Sequence, residues 1–156
     1  TGRFSEASAL VADMTKRIDA VVPDIAPTNA ISVYYELDNT YYSVTSNTFV
    51  GALLKQFGMV SIADGVQEGN DYPQLSAEAI VKADPSIIFL ADTKCCQQSA
   101  ATVKARAGWS GVSAVKDNNI IELDDDVASR WGPRIVDLIE QFGAAHTAML
   151  QKTAAK

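Results

Sequence analysis

The chain has 156 residues, a formal net charge of −6 and a pI near 4.6. That length makes one ordinary domain, able to bury about two-thirds of the surface its unfolded form exposes, and the acidic balance excludes the basic stripe that nucleic acid or an anionic membrane surface calls for. No apolar run approaches the about 20 residues needed to cross a bilayer, and the opening TGRFSEASALV lacks the charged and apolar regions of a signal peptide, so the chain reads as soluble in itself, as a mature chain that had lost its leader also would.

Apolar residues at Phe4, Ala7, Leu10, Val11, Met14, Ile18 and Val21 predict a first helix from Phe4 to about Val22, ended by Pro23 and Pro27. This helix precedes the first strand and has no partner strand of its own. Ala30–Leu37 (AISVYYEL) is rich in β-branched and aromatic residues and predicts a strand. The polar loop DNTYYSVTSN follows, then a helix from Thr48 to Phe57 that Gly58 terminates. MVSIA suggests a short strand, and DGVQEGNDYPQ a surface loop. Ser76 is placed to cap a helix over AEAIVKA, which must stop by Asp84 because the residue before Pro85 is pushed out of the α region.

Ile87–Leu90 is short and wholly apolar, as suits a strand covered on both faces in a parallel sheet. ADTKCCQQS is its carboxyl-end loop, a helix is expected near Ala100–Ala107, and in GWSGVSAVKDNN the Asp-Asn-Asn marks a turn. The final stretch, IIELDDDVASRWGPRIVDLIEQF, predicts a buried strand over Ile120–Leu123, a polar loop over Asp124–Trp131 and a helix from Pro133, with Ile135, Leu138, Ile139 and Phe142 on one apolar face. Strands alternating with helices predict an α/β fold, a three-layer sandwich with a mainly parallel, Rossmann-like sheet.

In such a sheet the crevice at the carboxyl ends of the strands is where ligands bind. No GxGxxG follows a strand and no GxxxxGK[ST] occurs, which removes the glycine cradle of an NAD enzyme or an ATPase. The single histidine, His146, lies among alanines with no nucleophile placed near it by a motif, and is expected at a surface or helix end. Asp124, Asp125 and Asp126 offer the carboxylate oxygens a divalent cation wants, or form a solvated acidic turn. Arg130 and Trp131 combine a forked cation with a flat apolar face, suited to a planar or anionic ligand; a surface ion pair and a core indole are the alternative. Tyr41, Tyr42 and Tyr72 sit in loops where phenols can stack on a ligand or lid the core. Cys95 and Cys96, the only cysteines, are adjacent: two reduced thiols, or a vicinal disulfide in an oxidising compartment.

Tyr72–Glu78 (YPQLSAE), Ala83–Leu90 (ADPSIIFL) and Asp124–Phe142 together resemble a known family. Over nearly its whole length the chain is similar to the C-terminal lobe of the substrate-binding proteins that serve ABC importers of ferric siderophores, haem and cobalamin. The resemblance implies that residues 1–22 form the helix joining two lobes, that residues 23–156 are the C-terminal lobe, and that the N-terminal lobe is missing. It implies a non-enzyme without a cofactor, whose partners are a metal chelate, the importer permease and its own other lobe. No nucleic acid is implied, and membrane contact comes only through a tether outside the chain.

Such proteins are exported, lipid-anchored or free in the periplasm. In the family, the glutamate of Leu75-Ser76-x-Glu78 pairs with permease arginines, which implies docking by Glu78; a solvated glutamate at a helix start is the plain alternative. The cleft aromatics fall on Tyr42 and Tyr72. The basic residue that meets an anionic siderophore or a haem propionate falls on Arg130, beside Trp131, and Glu36 stands where some members place a cleft aromatic. The chain departs from the family in having Thr45 near a common glycine, and Gly58-Met59-Val60-Ser61 where Gly-Gly-x-Asn is usual. The rival expectations are a phosphoryl-receiving or hydrolytic α/β domain using Asp124–Asp126 with magnesium, and a purely structural interaction domain.

Overall fold

The computed structural model describes residues 2–22, 30–129 and 132–154. Four strands, β1 (Ile31–Glu36), β2 (Met59–Ser61), β3 (Ile87–Leu90) and β4 (Ile120–Glu122), form one sheet in the order β2-β1-β3-β4 with every pairing parallel. Parallel neighbours need crossovers, and helices supply them. These are α2 (Phe49–Lys55), α3 (Ala77–Ala83), α4 (Ala100–Lys104) and α5 (Ser113–Lys116); α6 (Asp125–Ser129) and α7 (Ile135–Ala154) follow the last strand, and α1 (Phe4–Val21) precedes the first.

Side chains alternate across the sheet, and the two faces collect separate cores. Val33 and Tyr35 of β1, with Ile87 and Phe89 of β3, pack against Leu54, Phe57, Leu138 and Phe142. Tyr34, Ile88 and Leu90 point the other way and pack against Ile80, Val103, Trp109 and Ala114. Helices therefore cover both faces, and the chain is the three-layer α/β sandwich that the alternating pattern predicts. Capping follows the sequence: Thr48, Ser76 and Ser99 each accept the backbone N–H three residues on. Asp84 closes α3 in the left-handed region, with φ 47°.

α1 is covered at one end and bare at the other. Ile18, Val21 and Val22 pack against the first core, and Arg17 forks onto Glu140 of α7 at 2.8 Å to each oxygen and reaches Asp137 at 2.6 Å. Towards the N-terminus Phe4 is 84% exposed, Leu10 45% and Val11 62%. Half of its apolar stripe is thus left uncovered by the described residues.

Several expectations need correction. Ahead of the turn expected at Asp-Asn-Asn, the segment GWSGVSAVK also holds a 3₁₀ turn at Trp109–Gly111 and α5, because Asp84 takes the Ser113 N–H at 2.6 Å and its hydroxyl at 2.9 Å, holding the start of a short helix. The polar loop after β4 contains α6: the Asp124 carboxylate accepts the Asp126 N–H, and its carbonyl those of Val127 and Ala128, so the aspartate run begins a helix. β4 is a half-buried edge strand rather than a buried one, and α7 begins at Ile135, two residues after Pro133. His146 is not a surface residue: it is buried against the Phe57 ring, 6.3 Å between centroids, because the inward face of α7 continues past Phe142.

Candidate functional site

β1 ends on Glu36, whose backbone carbonyl accepts the Ala91 N–H just past β3, so two strands finish side by side at the crevice edge. Glu36 has no exposure, and Arg106 donates to both its oxygens, Nη1 and Nη2 each at 2.6 Å. The guanidinium lies 4.6 Å over the Trp109 ring and 5.3 Å over that of Tyr41, and Nη2 also reaches Gln98 Oε1 at 2.8 Å. A buried ion pair is costly unless its remaining hydrogen-bonding capacity is met. Here Gln98 and two aromatic faces enclose the cation. Of the ligand residues expected from the sequence, Glu36 therefore lies inside this cluster rather than open to the cleft.

Asp92, next in the alternation on the same sheet face, is buried, and neither carboxylate oxygen has a hydrogen-bond partner among the described residues. Burial, with Glu36 adding repulsion, raises its carboxyl to about 7. It is then half protonated near neutrality, an acid beside Glu36 at the carboxyl end of the sheet.

The two expected tyrosines come together through their backbones. Leu37 N–H donates to the Tyr42 carbonyl at 2.9 Å, which folds the chain back past the end of β1. Tyr42 bridges Gln74 in antiparallel fashion, and Ser43 and Thr45 donate to Pro73 at 3.0 Å and Asp71 at 2.9 Å, stitching Tyr42's segment to Tyr72's. Both rings stay open, Tyr42 at 37% and Tyr72 at 51% exposure. Tyr41, one residue earlier with φ 71°, turns the opposite way and stacks on Trp109 at 6.0 Å. Of the paired tyrosines, one lids the core and the other is exposed. Arg130 and Trp131 lie outside the described residues.

The acidic run behaves as a cation holder whose cation is already present. Lys94 Nζ donates to Asp124 at 2.8 Å and to Asp126 at 3.2 Å, while Asp125 accepts the N–H groups of Lys94 and Cys95 and the Thr93 hydroxyl. Burial works against the Asp125 carboxylate, but those donors outweigh it and hold it below its ordinary range. Among the described residues, no group of three or more His, Cys, Asp or Glu side chains is arranged to hold a metal ion. The magnesium site of the rival expectation finds its central position taken by an ammonium.

Glu78 is exposed in the first turn of α3, four residues after Gln74, and its carboxyl is lowered by its own backbone N–H and then by the Ser76 hydroxyl. No helix among the described residues is long and apolar enough to cross a membrane. Sequence reasoning missed Arg106 and Asp92. A charged residue two positions after the apolar IIFL strand was the available signal for Asp92; Arg106 lies beyond a short helix with no spacing that ties it to Glu36.

A family model described as periplasmic binding protein matches residues 1–127. A cobalamin-binding protein of Halobacterium salinarum is 28% identical over 149 residues, 93% of this chain and 40% of that protein. An uncharacterized ABC transporter substrate-binding lipoprotein of Bacillus subtilis is 28% identical over 146 residues, 90% of this chain and 44% of that protein. The crystal structure of a possible iron-binding (periplasmic solute-binding) protein from Staphylococcus epidermidis superposes with a TM-score of 0.72 at 25% identity, covering 93% of this chain and 56% of that one. The chain spans about two-fifths of the length of the curated relatives it matches. With the sheet order, the two-faced helical cover and a match over most of its residues agreeing, the chain belongs to the periplasmic binding protein family.

Proposed function

We propose that this chain is one lobe of a two-lobed substrate-binding protein that captures a metal chelate and delivers it to the permease of an ABC importer. A ferric siderophore is the first choice of ligand; haem and cobalamin are the others. One observation carries the reading: relatives with substrate-binding names match nearly all of this chain while it spans only 40% to 44% of them, as a single lobe would. The bare N-terminal half of α1 supports the same view, since a helix that joins two lobes needs cover from both.

In this reading Tyr42 and Tyr72 stack on the chelate, Arg130 meets its negative charge and Trp131 lies beside it. Glu36 acts indirectly by fixing Arg106 beneath the crevice. Glu78 presents a carboxylate to the permease from the outer surface. The protein works outside the cytoplasmic membrane, in the periplasm or lipid-anchored at the outer face, and touches the membrane only through a tether beyond this chain. It performs no chemistry on its ligand and needs no cofactor.

The test is titration of the two-lobed protein with ferric siderophores, haem and cobalamin while following tryptophan fluorescence. A saturable response to one of these supports the proposal, and silence toward all of them contradicts it.

A further inference from the structure

The loop after β3 carries both cysteines, and its conformation makes them a pair. Successive side chains in extended backbone point to opposite faces. Yet the sulfurs of Cys95 and Cys96 lie 2.7 Å apart, well inside the contact distance of two unbonded sulfurs. Restraints on both sides hold them so. Asp125 takes the N–H groups of Lys94 and Cys95 at 3.0 and 2.8 Å. The Asp92 carbonyl takes those of Cys96 and Gln98 at 3.2 and 3.4 Å, and Gln97 turns the chain in the left-handed region, with φ 54°. Cys95 is exposed and Cys96 half-buried, so a small solute reaches them. Neither has a part in the ligand capture proposed above.

We propose that Cys95 and Cys96 form a redox modification site, a vicinal dithiol that closes to a disulfide by exchange with a small-molecule disulfide such as glutathione disulfide. One cysteine thiolate attacks the oxidant, breaks its S–S bond and releases one thiol, leaving a mixed disulfide on the protein. The second cysteine thiolate then attacks the protein sulfur of that bond, forms the Cys95–Cys96 bond and releases the second thiol. The two cysteine protons end on the two released thiols. The pair loses two electrons and the oxidant gains them.

The modification is read at the crevice. Gln98 Nε2 donates to the Cys96 carbonyl at 3.1 Å, and Gln98 Oε1 accepts from Arg106 at 2.8 Å. Ring closure that reorients the Cys96 carbonyl therefore shifts Gln98, and with it the cation that lies 4.6 Å over Trp109. The redox state of the pair is transmitted to Glu36 and Arg106 through two hydrogen bonds.

The test equilibrates the chain in graded mixtures of reduced and oxidised glutathione, quenches with acid, counts thiols and measures intact mass. A Trp131→Phe variant, run alongside, leaves Trp109 as its remaining tryptophan for fluorescence. Both thiols are expected to disappear together, with a mass loss of two hydrogens, no glutathione adduct, no linked dimer and a change in Trp109 emission. Cys95→Ser is expected to finish as a glutathione adduct of Cys96 without the emission change of ring closure. Retention of both thiols in the most oxidising mixture, or adducts or linked dimers as the main product of the parent chain, overturns the site. Ring closure with unchanged Trp109 emission overturns the link to Arg106.

Discussion

Arg106 grips Glu36 with both arms of its guanidinium, 2.6 Å to each carboxylate oxygen, at a point where Glu36 has no contact with solvent. Removing the cation leaves a buried charge without a partner. We expect Arg106→Ala to cost about 3–5 kcal/mol of stability, the usual penalty for breaking a buried pair from one side. Glu36→Leu added to it should recover a large part of that loss, because the stranded carboxylate is gone. Urea unfolding of the two variants checks this; a double variant no more stable than Arg106→Ala would show that the pair is not what holds this edge of the sheet.

Asp92 gives the stability a pH dependence of unusual sign. Its carboxyl stands at about 7 in the fold against an ordinary 3.8. Between those values the folded state keeps a proton that the unfolded chain has released, so stability falls as pH rises through the window and levels off above about 7. Glu78, Asp84, Asp124 and Glu140, all held below their ordinary range, work oppositely and at lower pH. The comparison with Asp92→Asn removes them. The variant's advantage in thermal midpoint should be small near pH 4 and grow to its full size above pH 7, at about neutral charge cost for Asn. A difference that stays flat across the window contradicts the burial of a lone carboxyl.

Gly51 is required by close approach rather than by backbone conformation. A Cβ there would sit 2.2 Å from the Thr45 carbonyl oxygen and 2.6 Å from the Ser46 Cα, both main-chain atoms. The segment cannot retreat easily, since Asp64 holds Ser46 through its N–H at 2.7 Å and its hydroxyl at 2.5 Å. Gly51→Ala should therefore destabilise by about 1–3 kcal/mol, as overpacking does. Differential scanning calorimetry reads it as a lower midpoint, and an unchanged midpoint would mean that the Thr45–Ser46 turn is softer than its hydrogen bonds suggest.

Glu78 tests the docking half of the proposed function. The side chain is exposed, so Glu78→Arg should fold normally and leave chelate affinity unchanged in the two-lobed protein. Under the proposed docking role, uptake through the importer should fall sharply, because the variant reverses the charge offered to the permease. Wild-type uptake by the variant, measured with a radiolabelled chelate, would end the docking assignment.

Much of this architecture is legible in the sequence because its signals are local. Ser76 before AEAIVKA and Pro85 after Asp84 bound α3, and the short, wholly apolar IIFL suits a strand covered on both sides, as β3 is. α5 and α6 were hidden for the opposite reason. Each is a single turn or little more, started by an aspartate that accepts N–H groups, and aspartates in a polar stretch look the same whether they cap a helix or face water.

The crevice divides likewise. The exposure of Tyr42 and Tyr72 was legible from their place in loops beyond strand ends. Arg106 could not be read, because its pairing with Glu36 spans 70 residues and depends on how α4 lies on the sheet. His146 was misplaced because alanines around it suggested an outward helix face, whereas that face meets Phe57.

The proposed function requires this chain to be a single wall of a ligand cleft, reached by the exposed rings of Tyr42 and Tyr72, at 37% and 51% exposure. The most direct measurement is the dissociation constant for the chelate that responds in the ligand panel, taken in parallel for this chain alone, the two-lobed protein, and the two-lobed protein carrying Tyr42→Ala and Tyr72→Ala. We predict tight binding by the intact protein, weaker binding by the tyrosine variant at an unchanged thermal midpoint, and far weaker binding by the lone chain. Equal affinities for the lone chain and the two-lobed protein would contradict it.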